Sequence, residues 1–170
     1  MRPRRIGYAC INMQLSNPRE YGGAPRGTKK ITTNRSMIKR TFLAEGTSYA
    51  SELGLQNVKD LYKILQWNEE NGFNFFRLSS NLFPWASEYS WDQLPNIESI
   101  CEWLGRSGDF AKKHGHRITA HPGPFNKLTS DDERIIGNTI KDLSIHGWTF
   151  DQMGLPRTPW AKINIHVGAS

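Results

Sequence analysis

Two histidines stand at the ends of predicted β-strands, where side chains from different strands can meet. His121 ends the run 116–121, and His166 lies near the end of the run 161–167. Because side chains alternate along a strand, both imidazoles fall on the polar face. In parallel α/β barrels the chemistry gathers at the C-terminal strand ends, and imidazole is a common metal ligand. Both are candidate metal ligands, although a strand-end histidine is also commonly a hydrogen-bonded structural group, and spacing alone leaves both interpretations open.

Carboxylates near the predicted strands offer further candidate ligands. Glu88 follows the second predicted strand, in a segment that reads FPWASE, although an exposed loop glutamate is usually just solvated. Asp131 and Asp132 are better explained by the N-terminus of a helix, which favours negative charge. The other histidines lack a strand-end position and are interpreted as surface or helix-packing residues: His114, His116 and His146.

The elements that position these residues follow an alternating order. Four runs predict strands, at 5–12, 73–80, 116–121 and 161–167. Apolar residues at helical spacing predict helices at about 48–71 and 96–114 and another that starts at a capping box, 130–133, with Ile136, Ile140 and Leu143 as its apolar stripe. The order β-α-β-α-β-α-β implies right-handed crossovers and a parallel sheet.

The stretch 13–47 is polar and is predicted to be a long loop. It concentrates positive charge: Arg26, Lys29, Lys30, Arg35, Lys39 and Arg40. Such cations can follow a phosphate backbone, and a solvated loop explains them about equally well. Long loops within compact domains are usually functional or disordered.

Length and composition narrow the class of protein. The 170 residues correspond to one domain, and 8 Phe, 6 Trp and 5 Tyr argue against disorder. The net charge of +6 permits a polyanionic partner. The two cysteines, Cys10 and Cys101, lie too far apart in sequence to suggest a disulfide framework or a cysteine zinc site. Neither a signal peptide nor a membrane span is recognisable, so we expect an intracellular protein with no membrane partner.

Several segments together resemble the UV damage endonucleases, a DNA-repair family with a TIM barrel of the xylose-isomerase-like type. They read RIGY at 5–8, LYKILQWN at 61–68, FFRLSSNLFPWAS at 75–87, GHRIT at 115–119, HPG at 121–123 and IHVG at 165–168. The resemblance implies metal-dependent cleavage of the phosphodiester 5′ to photolesions in double-stranded DNA. It also implies a cluster of divalent metals, expected to be manganese, with zinc or magnesium as alternatives.

The resemblance assigns roles to individual residues. His121 and His166 match two metal-binding histidines, and Glu88 stands where the family commonly has a third. Tyr8 and Asn12 match residues at the mouth of the active site, which makes them the candidate catalytic residues. The remaining matches concern DNA: Pro124 and Phe125 correspond to a pair that wedges into the duplex beside the lesion, and Arg77, on the polar face of the second strand, is a further DNA-binding candidate.

The chain departs from the family pattern in three ways. Glu88 replaces a histidine, Pro124 replaces a glutamine, and the sequence ends after the fourth strand of an eight-stranded barrel. We therefore expect a partial TIM barrel, the N-terminal half, that needs a missing C-terminal half or a second chain to complete its metal site. The alternatives are a non-catalytic fragment that binds damaged DNA and a barrel of the sugar isomerase or epimerase kind.

Overall fold

A small parallel sheet organises the chain. The computed structural model describes residues 5–123 and 126–165. Within them, three parallel strands lie in the order β1-β2-β3: β1 (Gly7–Ala9), β2 (Phe75–Leu78) and β3 (Arg117–Ala120). Each strand is shorter than the run that predicted it. The α/β class and the parallel pairing are confirmed.

The predicted fourth strand is the main departure from the expected sheet. Within the described residues, the run 161–167 contributes one parallel bridge, between Ala120 and Ile163. On either side of this bridge, the Ala120 N–H donates to the Lys162 carbonyl at 3.0 Å and the Asn164 N–H donates to the Ala120 carbonyl at 2.9 Å. The backbone of the run thus pairs with one residue of β3, and over its described part the predicted strand is reduced to a single bridge.

Five helices are found in the described part of the chain. Their bounds are α1 (Met13–Ser16), α2 (Pro18–Tyr21), α3 (Lys39–Glu70), α4 (Ile97–Lys113) and α5 (Glu133–Gln152). None of the helices within residues 5–123 and 126–165 is long and apolar enough to cross a membrane. The stretch 13–47, predicted to be a loop, thus holds α1, α2 and the start of α3.

Helix α3 starts earlier than predicted because a backbone break divides it. Gly46 has φ 64° and ψ −155°, a conformation that is essentially restricted to glycine. The long amphipathic part, which the spacing of apolar residues predicts from about residue 48, follows this break. The preceding segment 39–45 is helical but shows no buried stripe, so periodicity could not reveal it.

The core lies between the sheet and the pair α3 and α4. Phe76, Leu78 and Ile118 are at most 1% exposed on the helix-facing side of the sheet. Helix α3 covers them with Leu61 and Leu65, both fully buried. This arrangement confirms the predicted sorting of β2 and β3 into an apolar and a polar face.

Helix α5 packs differently from the prediction. Its N-cap is Asp132, whose carboxylate accepts from the Arg134 N–H at 2.9 Å, so the predicted capping box at 130–133 is shifted. Ile140, expected in the apolar stripe, is 55% exposed. The buried face includes Thr139 and His146 instead, because α5 packs on the polar loop that follows β3.

Candidate functional site

Polar residues collect where the three parallel strands end. The C-terminal ends of parallel strands share one edge of a sheet. Asn12 follows β1, Ser79 follows β2 and His121 follows β3. Asn12 and Ser79 are buried, and His121 is half-buried. The sequence therefore places polar side chains from three strands along the same edge.

The loop after β3 is fastened to helix α5. The Asn126 side-chain amide donates to the Gly123 carbonyl at 3.0 Å and to Asp142 Oδ2 at 2.6 Å. One turn earlier on α5, Thr139 Oγ1 accepts from the Lys127 N–H at 3.0 Å. These contacts bring Asp142 beside the loop that begins at His121.

His146 is a polar residue of this region whose position sequence reasoning missed. It is 6% exposed, and its Nε2 lies 3.9 Å from Asp142 Oδ2 without a hydrogen-bond partner in the described structure. Burial lowers the pKa of His146; the Asp142 charge opposes this shift and the nearby His121 adds to it. The helical spacing of Asp142 and His146, four residues apart, is the signal that could have revealed the pair.

Glu88 is held near the same turn of α5. It is exposed, and its Oε1 accepts a long hydrogen bond of 3.4 Å from Ser87 Oγ. The Lys141 ammonium donates to the Ser87 carbonyl, and the next residue, Asp142, binds the loop after β3. Neighbouring residues of one helical turn thus hold both loops that carry predicted ligands. Across 5–123 and 126–165, no three His, Cys, Asp or Glu side chains are grouped closely enough to hold a metal ion.

Tyr8 and Asn12 form a hydrogen-bonded network with α3. Asn12 Nδ2 donates to the Tyr8 hydroxyl at 2.8 Å, and that hydroxyl donates to Asn68 Oδ1 at 2.5 Å. Burial raises the pKa of Tyr8 to about 12. The Tyr8 ring contacts Phe76, its register partner on the helix-facing side. Tyr8 therefore lies on the opposite face of the sheet from Arg77.

A shallow, mostly apolar cavity adjoins this network. Its volume is about 250 Å³, and its lining includes Tyr8, Asn12, Trp67 and Phe73. The Trp67 and Phe73 rings stack with their centroids 5.7 Å apart. The cavity therefore places a flat aromatic surface beside the Tyr8 hydroxyl and the Asn12 amide.

Arg77 lies on the face of the sheet that the helices do not cover. It is half-buried, and its register partner on β3 is Thr119. The Thr119 hydroxyl is buried without a hydrogen-bond partner. Among the described residues, none forms an ion pair or hydrogen bond with the Arg77 guanidinium. A positive charge and a free hydroxyl therefore adjoin on this face.

Three of the residues predicted from the sequence lie outside the described part of the chain. They are Pro124, Phe125 and His166. The wedge beside the lesion and the second metal-binding histidine stay predictions. Of the candidates that the structure describes, His121 and Glu88 are on loops fastened to one turn of α5, whereas Tyr8 and Asn12 form a separate group beside α3.

Comparison with known proteins decides the family. The model of the family described as UV-endonuclease UvdE matches residues 4–170. The chain belongs to the UV-endonuclease UvdE family. The resemblance inferred from the sequence segments is thereby confirmed.

Individual members show the same relationship. The UV-damage endonuclease of Schizosaccharomyces pombe is 35% identical over 98% of this chain and 26% of its own length. The UV DNA damage endonuclease of Nostoc sp. is 36% identical over 82% of this chain and 43% of its own length. The crystal structure of SacUVDE superposes with a TM-score of 0.74 at 28% identity, covering 95% of this chain and 48% of that one. The chain thus spans about half or less of the length of these UvdE family members.

Proposed function

We propose that this UvdE family chain is part of a DNA-repair endonuclease that cleaves the phosphodiester 5′ to UV photolesions by metal-dependent hydrolysis. The observation that carries the proposal is the family match along residues 4–170, together with relatives that are named UV-damage endonucleases. The net charge of +6 favours a polyanionic partner. Double-stranded DNA carrying a photolesion is the proposed substrate.

The residues near the strand ends include the kinds of ligand that the proposed metal would need. Imidazole and carboxylate groups are suitable ligands for manganese or zinc. The buried His146 Nε2, which has no hydrogen-bond partner in the described structure, shows that this region holds a nitrogen with unused bonding capacity. His121, His166 and Glu88 are the residues proposed to hold the ions, with manganese as the expected metal and zinc or magnesium as alternatives. Bound metals would supply an activated water and stabilise charge on the phosphate.

The chain's own residues are proposed to bind and orient the nucleic acid. The Arg77 guanidinium, which has no partner among the described residues, and the neighbouring Thr119 hydroxyl suit a phosphate group, since both can donate hydrogen bonds to anionic oxygens. The Tyr8 hydroxyl fixes the amide of Asn12 through their 2.8 Å hydrogen bond, which orients Asn12 at the end of β1. Phe125, with Pro124 before it, is proposed to fill the gap left by unstacked bases.

The small sheet is proposed to be one part of a TIM barrel. Within the described residues, β1 pairs only with β2, and the outer edge of β3 forms a single bridge, between Ala120 and Ile163. Both edges therefore offer backbone groups to further strands. We propose that a C-terminal half, in the same chain or in a second one, completes the barrel and the metal site.

A chimera tests this proposal. Residues 4–170 replace the matching part of the Schizosaccharomyces pombe relative, whose alignment covers 98% of this chain. The purified chimera is given manganese and a duplex that carries one pyrimidine dimer. We expect a nick on the 5′ side of the dimer, and no nick with His121→Ala or His166→Ala. Those two variants should also lose manganese affinity in calorimetry. His114→Ala is the matched control, because His114 follows α4 at the opposite end of the strands.

Two results would contradict the proposal. A folded chimera that leaves the damaged duplex intact would reject the endonuclease assignment. Unchanged manganese affinity in both histidine variants would reject their role as ligands. Damage-specific binding without cleavage, in both the chain and the chimera, would favour the non-catalytic DNA-binding fragment.

A further inference from the structure

A short helical segment before the break in α3 exposes apolar side chains to an unusual degree. We call residues 38–45 the rim segment. Leu43 is 73% exposed and Ile38 is 69% exposed, the largest values for large hydrophobic side chains in the described residues. A single exposed leucine is common on protein surfaces. The charges that surround Leu43, rather than its exposure alone, therefore point to a partner.

Positive charge flanks the exposed leucine. At about 100° per helical residue, Leu43 lies about 40° from Lys39 and about 60° from Arg40, between the two. Both cations are exposed, and within the described structure neither forms an ion pair. An apolar side chain between two free cations is the pattern expected of a surface that meets the phosphate backbone of DNA.

The other side of the rim segment is firmly attached to the protein. Phe42 stacks on Trp85, with ring centroids 5.7 Å apart and planes at 15°. The Trp85 indole N–H donates to the carbonyl of Met37 at 3.0 Å. The segment is thus fixed with Leu43 outward, and truncating Leu43 should leave its anchor intact.

The attachment places the rim segment at the end of the sheet where the candidate site lies. Trp85 belongs to the loop that follows β2, so it stands at the same edge as His121 after β3. Since β2 is the central strand of the three, this loop is not at an open edge of the sheet. Strands added at either edge would therefore not extend the sheet at this position.

The backbone at Gly46 separates the rim segment from the rest of α3. Its φ of 64° and ψ of −155° fall in a region that other residues rarely adopt. A Cβ at this position would meet no atom within 4 Å, so the conformation alone demands glycine. The break lets α3 pack on the core while the rim segment follows its own direction.

We propose that the rim segment is a second DNA-contacting element, in which Leu43 presses against the groove and Lys39 and Arg40 hold flanking phosphates. The inference rests on the proposed function, since it takes duplex DNA as the partner. It adds a contact from residues other than those of the predicted wedge, Pro124 and Phe125. Its expected effect is on affinity and on the length of duplex bound, with no part in the bond cleavage.

Fluorescence anisotropy with a labelled duplex, damaged or intact, tests the inference on the whole chain. Lys39→Ser combined with Arg40→Ser should weaken binding to both duplexes and reduce the slope of log K against log salt by about 2. Leu43→Ala should weaken binding about fivefold, because partial burial of a leucine is lost. Matched controls are Ile140→Ala, an exposed isoleucine on α5, and Lys113→Ser, at the far end of α4. Both controls should bind as the unchanged chain does.

Three other results of the binding experiment would overturn the inference. If the unchanged chain binds DNA and the rim variants bind equally well, the inference is overturned and the proposed function stands. If the unchanged chain binds neither duplex, the inference is overturned, whereas the proposed function is still decided by the cleavage assay of the chimera, which contains the C-terminal half. Stronger binding to vesicles containing phosphatidylserine than to DNA would overturn the inference in favour of a membrane surface. Arg40→Glu, which leaves the Phe42 anchor in place, repeats the test should the double variant unfold.

Discussion

The side-chain amide of Asn12 donates a 2.8 Å hydrogen bond to the phenolic oxygen of Tyr8. That oxygen also donates to Asn68, which is fully buried on α3. The turn after β1 is thereby fastened to the helix that covers the sheet. The position of Asn12, a candidate catalytic residue, thus depends on the Tyr8 hydroxyl and on the Leu15 N–H, which donates to Asn12 Oδ1 at 3.0 Å.

Tyr8→Phe should lower the free energy of unfolding by about 1–3 kcal/mol, because buried amide groups lose a partner. Urea unfolding measures this change. Tyr21→Phe is the control, since Tyr21 is exposed and its loss should cost little. Equal stability of the Tyr8→Phe protein and the unchanged protein would show that the network adds nothing to the fold.

The Tyr8 hydroxyl should also make the stability of the fold depend on pH in the alkaline range. Burial raises the pKa of Tyr8 from 10 to about 12, so the folded state holds the proton more tightly than the unfolded state. The resulting stability is complete below pH 10 and is lost as the pH rises through about 12. The stability difference between the unchanged protein and Tyr8→Phe should therefore shrink over this interval. A difference that stays constant would argue against a buried hydroxyl.

Glu69 lies at the end of the strands opposite to the candidate site. It should make the stability of the fold depend on pH in the acidic range. Its Oε2 lies 2.7 Å from Nε2 of the buried His116, and its Oε1 lies 3.2 Å from Nδ1 of His114. The hydrogen bond with His116 lowers the pKa of Glu69. A carboxyl group with a lowered pKa stabilises the fold above its unfolded pKa, and this contribution is lost as the pH falls through the folded value.

Glu69→Gln should therefore be less stable than the unchanged protein at neutral pH, and the gap should close in acid. Thermal unfolding at a series of pH values measures the gap. Glu70→Gln is the matched control, because Glu70 is the next residue, is exposed and forms no ion pair in the described structure. A gap that is the same at every pH would exclude the proposed role of the carboxylate charge.

Asp60 anchors the basic stretch that precedes α3. Its side chain is 1% exposed and forms an ion pair with Arg35, with N and O 2.6 Å apart. It accepts hydrogen bonds from Lys63 at 3.0 Å and from the Thr32 N–H at 3.1 Å. Asp60→Ala should cost about 3 kcal/mol, the lower end for a buried pair, because the two cations keep some contact with water. Lys63→Met should cost about 0.5 kcal/mol, as for a surface pair. Urea unfolding measures the stability lost in each variant. Similar losses for Asp60→Ala and Lys63→Met would contradict the role of Asp60 as a buried anchor.

The accuracy of the sequence predictions follows from burial. The helix expected at about 96–114 is α4 (Ile97–Lys113), and the alternation in β2 sorts Phe76 and Leu78 correctly, because both elements bury one apolar face against the core. The rim segment was missed because Ile38 and Leu43 face solvent and only Phe42 packs on the protein, which leaves no apolar stripe at helical spacing. Periodicity detects only those elements whose pattern is set by packing on the protein itself.

The candidate site shows the same limit. Alternation along the first strand groups Tyr8 with Asn12, but it cannot show that Cys10 between them adopts a positive φ of 64°. That turn ends the alternation and lets Asn12 reach back to the Tyr8 hydroxyl. Likewise, His146 is buried because it lies on a face of α5 that packs through polar residues, and the spacing of apolar residues does not predict such a face. Strand ends were predictable, whereas the long-range contacts behind them were not.

Two glycines of α4, Gly108 and Gly105, lie at different distances from the end of α5, so one substitution can serve as the control for the other. A Cβ added at Gly108 would lie 1.7 Å from the Met153 carbonyl oxygen, whereas one at Gly105 would lie 3.8 Å from its nearest neighbour, the Gln152 carbonyl oxygen. Gly108→Ala should therefore destabilise the fold by about 1–3 kcal/mol through overpacking. Gly105→Ala should stabilise it by roughly 0.5–1 kcal/mol, because alanine is the better helix former. Thermal unfolding measures whether each variant is less or more stable than the unchanged protein. A stabilising Gly108→Ala would mean that the helices are further apart than the structure places them.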